Sequence, residues 1–222
     1  MLALAPAPRM MKNLENIYGE AFFREWGPGN ADYVATAEAI TGEIYRRFHP
    51  TRVADLGCGC GVYGHFFRRL GAEIFSLDGV APPLEYSFGL PVYRQDLTEP
   101  FENAWGRFDL TLCLEVAEHI PDELSGVFLK NLARFGDTLL LSAAPPNQGG
   151  LHHVNERPKR YWVARLAELG FAYNRRRTGE LFEALRARRR PNMWMFQHIS
   201  VYEKVHDSLK GFPTLPFTVR IG

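Results

Sequence analysis

The sequence predicts a single α/β domain built around a doubly wound, mostly parallel sheet. Short apolar segments typical of buried strands alternate with helical patterns along the chain, and this alternation favours parallel strands joined by right-handed crossovers. The chain has 222 residues, of which 46% are hydrophobic and 23% are charged, which is enough for one sizeable core. We divide it into a helical flank or lid (1–48), the sheet domain (49–204) and a C-terminal tail (205–222).

The most informative stretch joins the first predicted strand to a glycine turn and a helix. Residues 53–56 form a short apolar run, and Gly57, Gly59 and Gly61 follow it directly. A tight turn of this kind requires positive φ angles, and a backbone without Cβ atoms lets a ligand lie against it. The stretch therefore predicts either a ligand-binding loop or an ordinary turn between a strand and a helix.

Two helices are predicted before this strand. Residues 13–26 mix aromatic and acidic side chains at roughly helical spacing, up to a Gly-Pro-Gly break. In residues 30–48, apolar side chains recur at steps of three and four, and a His-Pro pair ends the pattern. Tyr18, Trp26 and Tyr33 are candidates for an aromatic lid, although helices simply packed on the sheet are an equally good interpretation.

The remaining strands and helices follow from apolar runs and amphipathic patterns. Residues 108–116 have the near-continuous apolar character of a strand covered on both faces. A polar, glycine-rich loop at 145–155 follows the fifth strand, where loops line the ligand crevice of such sheets. The other predicted strands are 73–77, 91–94, 138–142, 171–175 and 194–202, and the other predicted helices lie around 66–70, 124–135, 161–169 and 180–189.

Charge and cysteine content narrow the function classes. The formal net charge of +1 gives no global field for nucleic acid or an anionic membrane, and we interpret the basic clusters at 175–177 and 186–190 as solvated helix surface. Cys58, Cys60 and Cys113 lack the paired spacing of a zinc site and are typical of buried thiols in a reducing compartment. Because we find neither a signal peptide nor an apolar run long enough to span a bilayer, we predict a cytoplasmic protein without a membrane partner.

Asp78 supports the ligand-binding interpretation of the glycine turn. It follows the second strand, roughly 20 residues after the turn, where an acid can accept hydrogen bonds from two ribose hydroxyls. The alternative is a turn residue before Gly79. A nicotinamide dehydrogenase uses the same pairing, but its fingerprint places a third glycine three residues after the second, and counted from Gly57 this chain has Val62 at that position.

Taken together, these motifs resemble those of the Rossmann-like, S-adenosylmethionine-dependent (class I) methyltransferases over about residues 30–204. The resemblance implies that the last strand of a seven-stranded sheet is antiparallel and inserted beside the fifth. The matching segments are V-A-D-L-G-C-G-C-G from Val53, Asp78 after the second strand, Q-D-L from Gln95 and F-D-L-T-L-C-L-E-V-A-E-H-I from Phe108.

The resemblance also implies S-adenosylmethionine as the cofactor. Its methionine part would face Asp55, Gly57 and Gly59. Its ribose would lie at Asp78, and its adenine would lie at Asp96 with Leu97. The full set of implied cofactor-binding residues is Asp55, Gly57, Cys58, Gly59, Asp78, Gly79, Asp96, Leu97, Leu114 and Glu115.

The end of the fourth strand carries the candidate reactive groups. If the chain makes one helical turn there, Glu115, Glu118 and His119 share a face, and the loop after the fifth strand can add His153 or His152. Carboxylate oxygens and imidazole nitrogens suit Mg²⁺, Mn²⁺, Fe²⁺ or Zn²⁺. The E-x-x-E-H spacing is similar to that of two metal-using subfamilies, the small-RNA 2′-O-methyltransferases and the ubiquinone-pathway O-methyltransferases. The candidate metal ligands are therefore Glu115, Glu118, His119 and His153.

Two other roles for these groups stay open. Without a metal, His119 or His153 could act as a general base for a hydroxyl, which is a poor nucleophile at neutral pH. Alternatively, Glu118, His119 and Asp122 would cap and charge the following helix, and the loop histidines would form only local hydrogen bonds.

We predict methylation of a hydroxyl on a small molecule or sugar, with His119, His153, Glu115 and Glu118 as the catalytic candidates. Because the cofactor already carries an activated methyl group, the protein must align the acceptor and unmask its nucleophile. The downstream sequence H-H-V-N-E differs from the longer arginine-rich stretch of the RNA enzymes, which argues against RNA. The alternatives are a nucleic-acid methyltransferase that uses the arginines of 186–190, or a non-catalytic module that binds a partner protein. The sequence gives no indication of the oligomeric state.

Overall fold

A seven-stranded sheet forms the centre of the computed structural model, which describes residues 11–188, 190 and 194–206. The strand order is β3-β2-β1-β4-β5-β7-β6, and only β7 runs antiparallel to its neighbours. The predicted sheet, including the last strand inserted beside the fifth, is confirmed. The strands are β1 (Arg52–Leu56), β2 (Glu73–Asp78), β3 (Val92–Arg94), β4 (Leu110–Leu114), β5 (Thr138–Ser142), β6 (Phe171–Tyr173) and β7 (Ser200–Lys204).

Helices cover both faces of this sheet. Within the described part of the chain they are α1 (Met11–Ile17), α2 (Glu20–Glu25), α3 (Ala31–Phe48), α4 (Val62–Arg69), α5 (Ser125–Leu132), α6 (Lys159–Ala167) and α7 (Arg175–Ala187). Short 3-10 helices occur at Leu84–Tyr86, Ala117–His119, Asp122–Leu124 and Trp194–Gln197.

The core has two layers that meet at the sheet. On β1, Val53 packs into one layer with α3, α4 and α7, whereas Ala54 packs into the other with α5 and α6. Successive strand residues point to opposite faces, so a strand buried on both sides needs a continuous apolar run. This requirement explains why the apolar runs 53–56 and 108–116 predicted strands correctly.

The N-terminal region differs from the prediction of one helix over 13–26. The chain forms α1 and α2 instead, because Gly19 has an extended conformation (φ −86°, ψ −169°) at the start of α2, and glycine is a poor residue inside a helix. The next predicted helix is confirmed as α3, where the Asn30 side chain accepts a hydrogen bond from the Tyr33 backbone N–H (3.0 Å). The boundary of the flank at residue 48 stays a prediction.

Three boundaries in the C-terminal part of the chain were predicted wrongly. The strand expected over 194–202 begins only at Ser200, after the 3-10 helix. Met195 and Phe196 are consecutive and are both buried in one core layer, and an apolar run alone does not distinguish a strand from a buried helix. The helix expected over 180–189 begins at 175, because the Asn174 side chain caps it by accepting from the Arg177 N–H (2.9 Å). For the same reason, β6 ends at Tyr173 rather than 175. Most of the predicted tail, 207–222, lies outside the described residues.

The three cysteines are free and buried, as predicted. The cytoplasmic location that we inferred partly from them stays a prediction. Within the described ranges, no helix combines the length and the apolar character that crossing a bilayer requires.

The central strands bring their carboxyl ends together at one edge of the sheet. Leu56 of β1 lies beside Leu77 of β2, and the Leu77 carbonyl accepts hydrogen bonds from the backbone N–H groups of Gly57 (2.8 Å) and Cys58 (3.2 Å). On its other side, β1 pairs with β4. From β1 the chain continues to β2 and β3 on one side and then crosses to β4 on the other side of β1. A crevice opens where the strand order reverses in this way, as expected at a switch point of an α/β sheet.

Candidate active site

Two adjoining cavities fill the crevice at the carboxyl ends of β1, β2 and β4. The narrow cavity, about 160 Å³, lies around Asp78 and Asp96. The wide cavity, about 360 Å³, lies around Tyr33 and Glu118. Both cavities border Phe22, Gly57, Gly59, Glu115 and His119, so they form one continuous site. The ten residues predicted to bind the cofactor all line one or both cavities.

The glycine turn has the conformation that its sequence predicted. The φ angles of Gly57, Gly59 and Gly61 are +78°, +54° and +83°, in the region that side chains disfavour. A Cβ on Gly57 would lie 2.5 Å from a methyl carbon of Val116, whereas a Cβ on Gly59 would meet only open space. Gly59 therefore presents bare backbone to the crevice, and a side chain there would occupy the ligand's space.

Two aspartates form the polar side of the narrow cavity. The Asp78 carboxylate accepts hydrogen bonds from the N–H groups of Gly59 (2.8 Å) and Val80 (3.0 Å), and burial raises its pKa. One oxygen of Asp96 accepts from the N–H (2.8 Å) and hydroxyl (2.6 Å) of Thr98. The other, Oδ2, is buried and has no partner among the described residues. A buried acceptor without a partner is costly, so Asp96 fits a ligand that brings a hydrogen-bond donor.

Asn131 supports this cavity and was missed by the sequence analysis. Its buried side-chain amide donates to the backbone carbonyls of Leu97 (2.8 Å) and Glu99 (2.9 Å), which fixes the loop that carries Asp96. Asn131 lies three residues after Phe128 on the buried face of α5. A single polar residue on an apolar helix face was the signal that could have identified it.

The chain turns sharply at the end of β4. Glu115 has a φ of +55°, a left-handed conformation that costs a residue with a side chain about 1–2 kcal/mol. The hydroxyl of Ser142 accepts from its N–H (3.0 Å). The helical turn expected next is present as the 3-10 helix Ala117–His119. Strained backbone that the surroundings hold in place is frequent in functional sites.

Glu118 places a carboxyl group in the protein interior beside that of Glu115. Its side chain is fully buried, and neither oxygen has a hydrogen-bond partner of standard geometry among the described residues. Burial, and secondarily the negative charge of Glu115, raises the pKa of Glu118 to about 9. Its backbone carbonyl accepts from Val154 (3.0 Å) and Asn155 (2.9 Å), so the loop after β5 is anchored beside it.

This loop brings His153 to His119. The ring centroids are 4.9 Å apart and the rings are nearly perpendicular. Nδ1 of His119 lies 3.2 Å from the carbonyl oxygen of His152. Because a carbonyl can only accept, Nδ1 carries the hydrogen and Nε2 keeps a lone pair. Burial, followed by His153, lowers the pKa of His119 to about 4, so the ring is neutral at pH 7.

His152 has a different position from its neighbour. It lines the narrow cavity, and its ring centroid lies 6.3 Å from that of Tyr18. Ligand atoms of Glu118, His119 and His153 lie within 4.8 Å of one another. One oxygen and two nitrogen donors suit Zn²⁺, Mn²⁺ or Fe²⁺, and the buried carboxyl oxygens of Glu118 fit such an ion. Glu115, also predicted as a ligand, is not part of this group.

Glu156 organises the loop and was not predicted. Its carboxylate accepts from the N–H groups of Asn147 (2.7 Å) and Gly149 (2.6 Å) and lies 2.9 Å from Nδ1 of His153. The hydrogen bond with His153, followed by those with the backbone, lowers the pKa of Glu156. A glutamate three residues after a loop histidine was the available signal, but a lone pair of this kind is too common to predict a contact.

Aromatic side chains from the N-terminal helices wall the crevice. Trp26 and Tyr33 form an edge-to-face pair (5.2 Å) at the wide cavity, and Tyr18 lies edge-on to His119 (5.8 Å) at the narrow one. All three residues suggested as an aromatic lid therefore border the site. Phe22, Tyr63, Leu151 and Met195 complete the apolar lining of the wide cavity.

The described residues of the basic clusters lie away from these cavities, on α7 and just after it. Among them, Arg176 pairs with Glu180, Arg186 with Glu183, Arg177 with Glu203 and Arg188 with Glu43. The exposed Arg176 and Arg186 agree with the interpretation of a solvated helix surface. Arg177, which is only 27% exposed, and Arg188, which pairs with the buried Glu43, depart from it, because they hold α7 against its neighbours.

We compared the sequence and the structure with those of known proteins. No family model matches the chain. The ubiquinone biosynthesis O-methyltransferase of Xanthomonas campestris pv. campestris (strain B100) is 33% identical over 125 residues, which cover 52% of this chain and 48% of that protein. The chain thus spans about half the length of the curated relatives it matches.

Two solved structures share the fold over nearly the whole chain. The 1,6-didemethyltoxoflavin-N1-methyltransferase of Burkholderia thailandensis has a TM-score of 0.58 and 16% identity, covering 93% of this chain and 94% of its own. The magnesium protoporphyrin IX methyltransferase of Synechocystis PCC 6803 has a TM-score of 0.52 and 19% identity, covering 88% and 94%. Both hold S-adenosylhomocysteine. The chain has the Rossmann-like fold of class I S-adenosylmethionine-dependent methyltransferases.

Proposed function

We propose that the protein is an S-adenosylmethionine-dependent methyltransferase that methylates a hydroxyl of a small molecule or sugar. One observation carries the proposal: a cavity that suits a nucleoside opens directly onto a second cavity that holds Glu118, His119 and His153. The names of the curated relatives, ubiquinone biosynthesis O-methyltransferases, support transfer to oxygen.

The narrow cavity would take the adenosine part of the cofactor. Asp78 would accept from the ribose hydroxyls, and the partnerless Oδ2 of Asp96 would accept from the adenine amine. The methionine part would extend along Gly57 and Gly59 towards Asp55, which line the wide cavity. The bound cofactor supplies a methyl group that its sulfonium already activates.

The acceptor would occupy the rest of the wide cavity, whose volume is that of a small-molecule site. A hydroxyl must lose its proton to attack efficiently, and the Nε2 lone pairs of His119 and His153 are available to receive it. This need for proton removal is why we prefer oxygen as the acceptor atom, although one structural neighbour is an N1-methyltransferase. The aromatic walls would orient the acceptor and exclude water.

A divalent metal fits the same group of side chains. Glu118, His119 and His153 would hold it, with Glu115 as a further candidate at the same turn. When bound, such an ion lowers the pKa of a coordinated hydroxyl. The histidines would then act as ligands, and proton removal would depend on the ion.

The proposal is tested by incubating the protein with cofactor labelled on its methyl group and a panel of phenols, sugars and short RNAs. We expect label on a hydroxyl of a small acceptor. Label on RNA, with binding that weakens steeply with salt, would identify a nucleic-acid methyltransferase instead. Cofactor binding without transfer to any acceptor, together with a stable protein partner, would identify a binding module and overturn the proposal.

The metal role is tested in the same assay. The protein is treated with a chelator, and Mg²⁺, Mn²⁺, Fe²⁺ or Zn²⁺ is then titrated back. We expect activity to fall and to return with one of these ions, and Glu118→Gln to abolish the return. Turnover that no treatment changes would leave the histidines as bases and exclude the metal.

A further inference from the structure

We propose that Glu156 is a positioning residue that fixes the ring of His153, so that the Nε2 lone pair of His153 is available in the wide cavity. This inference rests on the proposed function, because it concerns how the reactive histidine of that site is prepared. Nothing in the comparisons or the sequence motifs assigns a role to Glu156.

Two backbone hydrogen-bond donors surround the Glu156 carboxylate. The backbone N–H groups of Asn147 and Gly149 point at its two oxygens, at 2.7 Å and 2.6 Å. An N–H can only donate, and an ionised carboxylate can only accept. The loop therefore selects the carboxylate form of Glu156 through two charge-assisted hydrogen bonds.

The carboxylate of Glu156 also contacts the imidazole ring of His153. Nδ1 of His153 lies 2.9 Å from Oε1, the same oxygen that Gly149 contacts. Because this oxygen is an acceptor, Nδ1 must carry the hydrogen, and Nε2 of the neutral ring keeps its lone pair. This is the atom that a general base or a metal ligand uses. Carboxylates that hold the other ring nitrogen of a reactive histidine act in this way in many sites.

The His153 ring is closely packed within the loop. The His153 and Glu156 side chains are only 11% and 17% exposed, so water competes weakly for their hydrogen bond. A side chain on Gly150 would overlap the His153 ring, so the ring is seated between Gly150 and Glu156. In this position the His153 ring lies nearly perpendicular to the His119 ring. One of its nitrogen atoms lies within 4.8 Å of ligand atoms of Glu118 and His119.

The spectroscopic test is the variant Glu156→Ala, which removes the side-chain acceptor beside Nδ1. The ring ¹⁵N spectrum of the unliganded protein reports the tautomer directly. We expect the Nδ1–H tautomer of His153 in the wild type and its loss in Glu156→Ala. The kinetic test uses Glu156→Gln, which has nearly the same shape, but its amide offers one acceptor and one donor and therefore loses at least one of the three contacts.

Steady-state kinetics are the second measurement. We expect kcat to fall about 10- to 100-fold in Glu156→Gln, while the Kd of the cofactor stays within about twofold, since Glu156 does not line the narrow cavity. Glu168→Gln removes an exposed glutamate at the end of α6 and should behave as wild type. Glu156→Asp keeps the charge but shortens the reach, and we expect an intermediate kcat.

A double-mutant cycle with His153→Ala separates positioning from general support of the loop. If Glu156 acts through His153, Glu156→Gln has no further effect on kcat once His153 is absent. An equal additional loss in that background, or an unchanged His153 tautomer in Glu156→Ala, would overturn the inference. Should the wild type transfer no methyl group at all, the proposed function fails, and the spectrum alone still decides the role of Glu156.

Discussion

Gly59 borders the crevice and has a backbone conformation that the protein's own packing does not require. Its φ of +54° strains any side chain, yet a Cβ there would touch no atom of the part of the chain that the structure describes. Gly71, at the end of α4, has the same two properties (φ +99°) but lies outside the crevice. The two glycines therefore share a positive φ and open space around the Cβ position, and only Gly59 borders the crevice.

We predict that Gly59→Ala and Gly71→Ala each lower the free energy of unfolding by about 1–2 kcal/mol, because alanine disfavours positive φ. Only Gly59→Ala should also weaken binding of S-adenosylhomocysteine, by about tenfold or more, since its methyl group enters the ligand's space. Urea unfolding and calorimetric titration measure the two effects. Equal affinity of both variants for the nucleoside would show that the ligand does not contact the glycine turn.

Predictability at this scale depends on how far apart in sequence the partners are. The position of Gly57, Gly59 and Asp78 at the crevice could be predicted because it follows from local turn geometry and from a fixed spacing. Asn131 and Glu156 could not. Asn131 contacts a loop more than 30 residues earlier, and the role of Glu156 depends on a loop conformation that no short motif encodes. The choice between His152 and His153 likewise required the structure.

At the scale of elements, α3 and α7 are joined by a cluster of charges around Glu43. This buried carboxylate accepts from Arg46 and Arg47 on α3 and from Arg188 just beyond α7. Burial alone would raise its pKa, but the hydrogen bonds with the three arginines outweigh burial and lower it. The cluster therefore fixes the end of α7 against the helix that precedes the sheet.

We predict that Glu43→Gln lowers the free energy of unfolding by about 1–2 kcal/mol at pH 7. A carboxyl group with a lowered pKa in the folded protein stabilises it above its ordinary pKa, near 4.5, and loses this effect as the pH falls through the folded value. The difference between wild type and variant should therefore shrink as the pH falls below about 4.5. Urea unfolding over a pH series measures it, and Glu38→Gln on the same helix is the control. A difference independent of pH would contradict the role of the charge.

The elements themselves could be predicted where burial imposes a pattern. The strands covered on both faces read as continuous apolar runs, so β1, β4 and β5 were recognisable. The segment 194–202 was not, because the adjacent buried residues Met195 and Phe196 belong to a 3-10 helix. The start of α7, which depends on the Asn174 side-chain cap, also went unrecognised.

At the scale of the whole molecule, the site exists because the strand order reverses direction beside β1. This order places the glycine turn, Asp78 and the 3-10 turn after β4 around one crevice, although up to about 60 residues separate them. Alternating strands and helices predicted the parallel sheet, but only the resemblance to a known family implied the antiparallel β7. Strand order is a property of long-range contacts, which neither composition nor periodicity reports.

The central claim is that this crevice binds a sulfonium nucleoside through bare backbone at Gly59 and the carboxylate of Asp78. Calorimetric titration with S-adenosylhomocysteine tests it most directly, using wild type, Asp78→Asn and Asp137→Asn, the last before β5 at the opposite end of the sheet. We predict saturable binding to the wild type, about tenfold or more weaker binding to Asp78→Asn, and unchanged binding to Asp137→Asn. Absence of heat with the wild type, or binding of a nicotinamide dinucleotide in its place, would contradict the account.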